Sequence, residues 1–274
     1  MHPRHAMFAV ALLLVAALGA WLVLGDDETD PAASQVLLPL PPVPPRIASG
    51  LEYDRCLGLL TTEPEAAATL ARTWVERNGG EPAVHCLALS RLALGEPAPA
   101  AEELERLATA STSPPATRAA LLAQATQAWL MAGMASRARA TASLALALTP
   151  DDPSLLIERA VAAEQLARHA DAAEDLAGAL RLDPRRVDAL VLRATVLRHL
   201  ERIPEAVADI TAALALDPDN PEALLERGIL RQRRQDDAGA RDDWQRVVAL
   251  APDSPISDLA RQNLALLEAG PIRQ

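Results

Sequence analysis

The sequence predicts an all-α fold: an α-solenoid of about five to six helix-turn-helix units with a C-terminal cap helix, preceded by a single N-terminal hydrophobic helix. Three observations lead there. Half of the 274 residues are hydrophobic but only 2 % are aromatic, and Ala and Leu dominate, which favours closely packed helices over sheets. Pro, Leu and Ala recur together at a period of 34 residues. Within each period the apolar positions follow i, i+3, i+4 and i+7, the spacing of one helix face.

Composition also sets limits on function. All 26 basic residues are Arg, because the chain has no Lys, and against 37 acidic residues the net charge is -11. Such a chain is poorly suited to electrostatic capture of nucleic acid or of an anionic membrane surface. Two Cys and five His leave little material for a metal or redox centre.

Residues 1–25 read as a signal-anchor or signal peptide. The stretch 6–24, AMFAVALLLVAALGAWLVL, is uncharged, preceded by Arg4 and followed by Asp26, Asp27 and Glu28. As a helix it would span about 28 Å, close to the hydrocarbon thickness of a bilayer. The positive flank stays on the cytoplasmic side, so the body of the protein is expected in the periplasm of a bacterial envelope. An uncleaved inner-membrane anchor and a cleaved signal both remain open. The run is long for a signal, and Val23-Leu24-Gly25 and Ala17-Leu18-Gly19 fit a cleavage site only loosely. No Cys follows the run, so there is no lipoprotein attachment site. Residues 26–50 form a linker whose segment 31–50 holds six Pro, a semi-rigid spacer of about 3.1 Å per residue.

The repeats occupy the rest. Pro150, Pro184, Pro218 and Pro252 keep step with Leu148, Leu182, Leu216 and Leu250. Ala138, Ala172, Ala206 and Ala240 form a third column, and Leu122, Leu156, Leu190 and Leu224 a fourth. In one unit a helix over Pro153 to Leu166 is followed by a turn and a second helix over His169 to Leu182. Pro184 lacks the N–H that a continuing helix needs and stops it. One hairpin cannot bury both of its faces, so the units must stack.

This pattern resembles the tetratricopeptide repeat family, with its 34-residue helix-turn-helix, an Ala at place twenty and a terminal Pro. The resemblance covers residues 47–269 and implies a right-handed α-solenoid. It divides the chain into degenerate units over 47–118, four units over 119–252 (119–152, 153–186, 187–220 and 221–252), and a cap helix and tail over 253–274. In the degenerate part Ala66 and Leu70 mark one unit, and Gly95 and Ala100 the next, with about four extra residues around Ser113-Pro114-Pro115. The family's aromatic at place eleven is here Trp129, Ala163, Leu197 and Arg231, and its turn Gly survives only as Gly95 and Gly133.

Three sets of residues stand out against this frame. Arg159, Arg193 and Arg227 at place seven accompany Asp175, Asp209 and Asp243 at place twenty-three, and both are lost together as Ala125 and Thr141. Antiparallel helices place them face to face, predicting a structural ion pair in each unit; unrelated surface charges are the alternative. Cys56 and Cys86 fall on the first helices of adjacent units, which run side by side in such arrays, so a disulfide is expected in an oxidising compartment; two buried thiols are the alternative.

By the resemblance, first-helix places two, five, nine, twelve and thirteen line the concave surface. They are Ser154, Ile157, Val161, Glu164 and Gln165, then Asp188, Val191, Thr195, Arg198 and His199, then Glu222, Leu225, Ile229, Gln232 and Arg233. Asp188, Thr195, Arg198, His199, Glu222, Gln232 and Arg233 are the candidate partner-binding residues, an apolar floor with Arg at the rim suited to an acidic extended peptide. A solvated face without a ligand is the alternative. The family's subclass that clamps a terminal carboxylate with Lys and Asn is excluded, since place nine holds Gln127, Val161, Thr195 and Ile229.

No catalytic, cofactor or metal motif occurs. His85 and Cys86 are adjacent and diverge by about 100° on a helix, so they form no nucleophile pair. His169 is expected in a solvated turn. The pairs Asp236-Asp237 and Asp242-Asp243 read as a helix start and an exposed face. The expectation is a non-catalytic, cofactor-free scaffold that binds a partner protein or peptide, touching the membrane through the N-terminal helix if that is retained. The alternative is an obligate accessory subunit of an envelope assembly machine such as cytochrome maturation, wall synthesis or outer-membrane biogenesis.

Overall fold

The computed structural model describes residues 46–269, so the N-terminal hydrophobic segment and most of the Pro-rich linker lie outside the described residues. Among the described residues there are thirteen helices and no strand. In chain order they are α1 Leu51–Leu59, α2 Pro64–Glu76, α3 Gly80–Ala93, α4 Pro97–Ala110, α5 Pro115–Met131, α6 Ala135–Leu148, α7 Pro153–Gln165, α8 His169–Leu182, α9 Val187–His199, α10 Ile203–Leu216, α11 Pro221–Arg233, α12 Asp237–Leu250 and α13 Pro255–Ala269. Each odd-numbered helix pairs with the next, giving six hairpins, and α13 packs on α12. The odd-numbered helices also touch one another across units, α1 on α3, α5 on α7, α7 on α9 and α9 on α11, whereas the even-numbered helices make no comparable contact. The array therefore curves as an α-solenoid with the first helices inside.

The helix ends follow local chemistry. Pro opens α2, α4, α5, α7, α11 and α13, where its missing N–H costs nothing. Asp152 accepts from the amides of Ser154 and Leu155, and Asn220 from that of Ala223, satisfying donors that the first turn leaves over. The repeating Pro150, Pro184, Pro218 and Pro252 each stand two residues beyond α6, α8, α10 and α12.

The column Ala138, Ala172, Ala206 and Ala240 is wholly buried, so the second helices lie close against the first. In the first hairpin the fully buried small residues of α2 are Ala67 and Ala71, and Ala66 is only half-buried. The extra residues near Ser113 lengthen a helix: α5 has 17 residues against 13 in α7, α9 and α11, so one more turn precedes Ala119. At the C-terminal end a methyl on Gly228 would overlap the indole of Trp244, which is fully buried and donates to the Leu225 carbonyl at 3.2 Å.

The turns inside the five hairpins from α3 onward adopt the left-handed conformation at Gly95 and Gly133, and also at Ala167, Glu201 and Gln235. The turn geometry has thus outlasted the glycine that it favours.

Candidate binding face

Three matching ion pairs fix the hairpins from within. Arg159 donates to both Asp175 oxygens at 2.8 and 2.6 Å, Arg193 to Asp209 at 2.7 and 2.6 Å, and Arg227 to Asp243 at 2.9 and 2.6 Å. Fork-to-fork geometry of this kind fixes orientation as well as distance. Arg231, at the place where the family carries an aromatic, adds a second guanidinium to Asp243 at 2.8 Å. The hairpin with Ala125 and Thr141 draws on its neighbour. Thr141 and Arg137 both donate to Glu105 of α4, as does the Trp129 indole at 2.9 Å, and the Arg137 guanidinium lies 3.6 Å from the Trp129 ring centroid.

Cys56 of α1 and Cys86 of α3 form a disulfide, with Cα atoms 6.2 Å apart and both residues buried. Beside it runs a polar chain through three successive first helices. The Tyr53 hydroxyl and His85 Nδ1 are 2.6 Å apart, and His85 Nε2 and the Gln124 carbonyl oxygen 2.6 Å. A carbonyl can only accept, so His85 Nε2–H donates to Gln124, and Nδ1 accepts from Tyr53. Burial pushes the imidazole down to about 4 against the Gln124 bond that favours its charged form; it is a neutral strut. The sequence separates His85 from a pairing with Cys86 but does not display this role, because its partners lie 32 and 39 positions away.

The inner face gathers the candidate binding residues, but its rim cations are already engaged. Arg198 donates to Glu226 at 2.6 Å, and the two side chains are only 13 and 6 % exposed. The buried Thr195 hydroxyl donates to the same carboxylate at 3.3 Å. Arg233 holds Glu201 at 2.9 Å, and Asp188 is held by Arg186 at 2.6 Å. Glu222 is exposed and Gln232 half-buried. His199 is exposed and stacks on His169, centroids 4.7 Å apart and planes within 6°. His169 is therefore half-buried at the start of α8, where a solvated turn was expected. Val191, Leu225 and Ile229 form a half-buried apolar strip between these groups.

One residue on the seam between α5 and α7 breaks the pattern of engaged charges. Glu158 is 5 % exposed, its Oε1 accepts from Gln127 at 2.7 Å, and its Oε2 has no hydrogen-bond partner. Burial pushes its carboxyl up to about 8. Glu164 on the same helix is also raised by burial, with Arg198 opposing.

Away from this face, a cleft of about 510 Å³ opens between α8 and α10. Arg193 with Asp209 and Arg202 with Glu205 pair with each other there, leaving Glu174 among Ala and Leu side chains. Among the described residues no group of three or more His, Cys, Asp or Glu could hold a metal ion, and no helix is long and apolar enough to cross a membrane.

A family model described as a tetratricopeptide repeat matches residues 157–221 and 200–255. Over residues 157–255 the repeats are tetratricopeptide repeats. Solved structures extend the likeness of fold over most of the chain. The tetratricopeptide array is similar to pilF of Pseudomonas aeruginosa at 21 % identity and a TM-score of 0.61, covering 77 % of this chain and 96 % of that one. It is similar to a thermophilic TPR protein of Thermus thermophilus at 22 % identity and a TM-score of 0.56, covering 68 % and 100 %. It is also similar to YrrB, described as a TPR protein with an unusual peptide-binding site, at 16 % identity and a TM-score of 0.53, covering 71 % and 97 %. No curated protein matches the sequence.

Proposed function

We propose that this chain is a non-catalytic scaffold of the bacterial cell envelope that holds an extended segment of a partner protein against the inner face of its repeats. One observation supports this above the others. The neighbouring first helices α9 and α11 carry a strip of half-buried aliphatic residues, Val191, Leu225 and Ile229, among polar side chains. A strip of this kind gives an extended peptide apolar pockets and hydrogen-bonding edges. The tetratricopeptide fold is typically a protein-interaction scaffold. The periplasmic placement rests on the apolar stretch 6–24 and is supported by the Cys56–Cys86 disulfide, since such bonds persist in oxidising compartments.

The test is a crosslinking purification of the full chain from detergent-solubilised envelopes, beside a Val191→Gln/Leu225→Gln variant checked for helicity. A near-stoichiometric partner whose crosslinks fall on α7, α9 and α11, and which the variant loses, supports the reading. Crosslinks confined to the even-numbered helices overturn the inner-face placement. Thiol trapping in intact cells tests the compartment: Cys56 and Cys86 found reduced in the native protein would contradict the periplasm. The rival reading, an obligate subunit, requires a broad apolar interface. The exposed large apolar side chains among the described residues, such as Leu51, Met131, Leu182 and Leu266, are spread along the chain, and a monodisperse monomer by light scattering would exclude that rival.

A further inference from the structure

Quasi-equivalent positions along the inner face let the protein itself show what Glu158 lacks. In the last hairpin Glu226 receives Thr195, 31 residues earlier, and Arg198, 28 residues earlier. Glu158 sits one full period pair before Glu226, at the same place of its repeat. The residue 31 positions earlier is Gln127, which donates to it at 2.7 Å. The residue 28 positions earlier is Leu130. A guanidinium therefore completes one carboxylate site, and a short aliphatic side chain stands at the matching point of the other.

The consequence is visible in the hydrogen bonding. Glu226 spends both oxygens on its partners, while Oε2 of Glu158 is buried without one. Its carboxyl group is aimed into the α5–α7 seam, as the bond to Gln127 of α5 requires. Oε2 itself is covered, and the α5 side chains at the seam, Gln127 and Leu130, are only half-buried, so a partner side chain reaches it by displacing them. The charge that acts on it has the same sign: Asp152 at the start of α7 disfavours the ionised form of Glu158. The cations of this face are taken, Arg186 by Asp188, Arg198 by Glu226 and Arg233 by Glu201.

We propose that the seam between α5 and α7 is a subsite for a basic side chain of the bound partner, an arginine or lysine whose cation pairs with the Glu158 carboxylate as Arg198 pairs with Glu226. This rests on the inner-face reading above and names the ligand chemistry within it. It also reverses the acidic ligand expected from Arg198 and Arg233, because those guanidiniums are satisfied within the chain. Burial holds a proton on Glu158 in the free protein, so a cation that binds there displaces that proton to solvent and pairs with the carboxylate in its place.

The experiment uses the full 274-residue chain in mild detergent, selected against a synthetic library of random octapeptides capped at both ends. Selected peptides are remade with citrulline for arginine or norleucine for lysine, and their affinities are measured for the native protein, Glu158→Gln and Leu130→Arg. Leu130→Arg installs the missing guanidinium from within. The expected result is enrichment of one basic position, a loss of at least about tenfold on neutralising it, and disappearance of that loss in both variants. Selected peptides without basic enrichment, or a neutralisation loss unchanged in both variants, overturn the subsite and leave the inner-face reading standing. If the face binds no peptide, that reading fails and the subsite with it. Should Leu130→Arg not fold, Glu158→Gln decides, since it removes the charge at constant volume.

Discussion

Buried polar side chains in this array separate into those that are completed and those that are not. Asp209 illustrates the first kind, with both oxygens held by Arg193. Asp209→Ala leaves a half-buried guanidinium without its partner and is expected to lower stability by about 1–2 kcal/mol in urea titration. Arg202→Ala, which breaks the exposed pair with Glu205, should be close to neutral in the same measurement. Glu158 illustrates the second kind and gives stability a pH dependence. Folding raises its carboxyl from an ordinary 4.5 to about 8, so the folded state holds a proton that the unfolded chain has released. Its contribution is full below 4.5 and is lost as pH rises through about 8. His85 acts oppositely, lowered from 6.5 to about 4, and its contribution is lost as pH falls below 6.5. Between 6.5 and 8 Glu158 acts without that opposition. Thermal melts across this window should show Tm falling with pH in the native protein and a flatter profile in Glu158→Gln.

The helices and turns carry a different economy. Stops at Pro184 and Pro218 and caps at Asp152 and Asn220 are local, and the sequence displays them. The turns at Ala167 and Gln235 are also local, yet they take left-handed backbone without glycine, because stacking of the flanking hairpins outweighs a strain of about 1 kcal/mol each. Ala167→Gly and Gln235→Gly should therefore stabilise by roughly 0.5–1 kcal/mol each, additively, as read by the urea midpoint. Gly133→Ala, at the same turn place, should destabilise by a similar amount.

Across the whole array, each hairpin is held only by its neighbours, so its ends are its weak points. The disulfide staples α1 to α3 at the N-terminal end, where α1 is only nine residues long. Reduction, or Cys56→Ser with Cys86→Ser, should cost about 3 kcal/mol. Native-state hydrogen exchange should place that loss in α1–α3 and leave α7–α10 unchanged. A uniform loss of protection would instead mean that the array unfolds as one cooperative block.

The helical hairpin, its repetition and the pairing of helices within a unit were legible in the amino acids, because each depends on the spacing of Pro, Ala and Leu within one unit. The Arg159, Arg193 and Arg227 pairs were legible for the same reason: both partners lie 16 residues apart in one hairpin. Side chains that meet between units were not. Whether Arg198 faces a ligand or Glu226, whether His85 reaches Gln124, and whether Glu158 finds a cation depend on how one first helix is set against the next. That offset is fixed by packing of the whole interface and has no local signature in either helix. Composition and period determined the scaffold; the stacking of neighbouring repeats decided which charges remain for a partner.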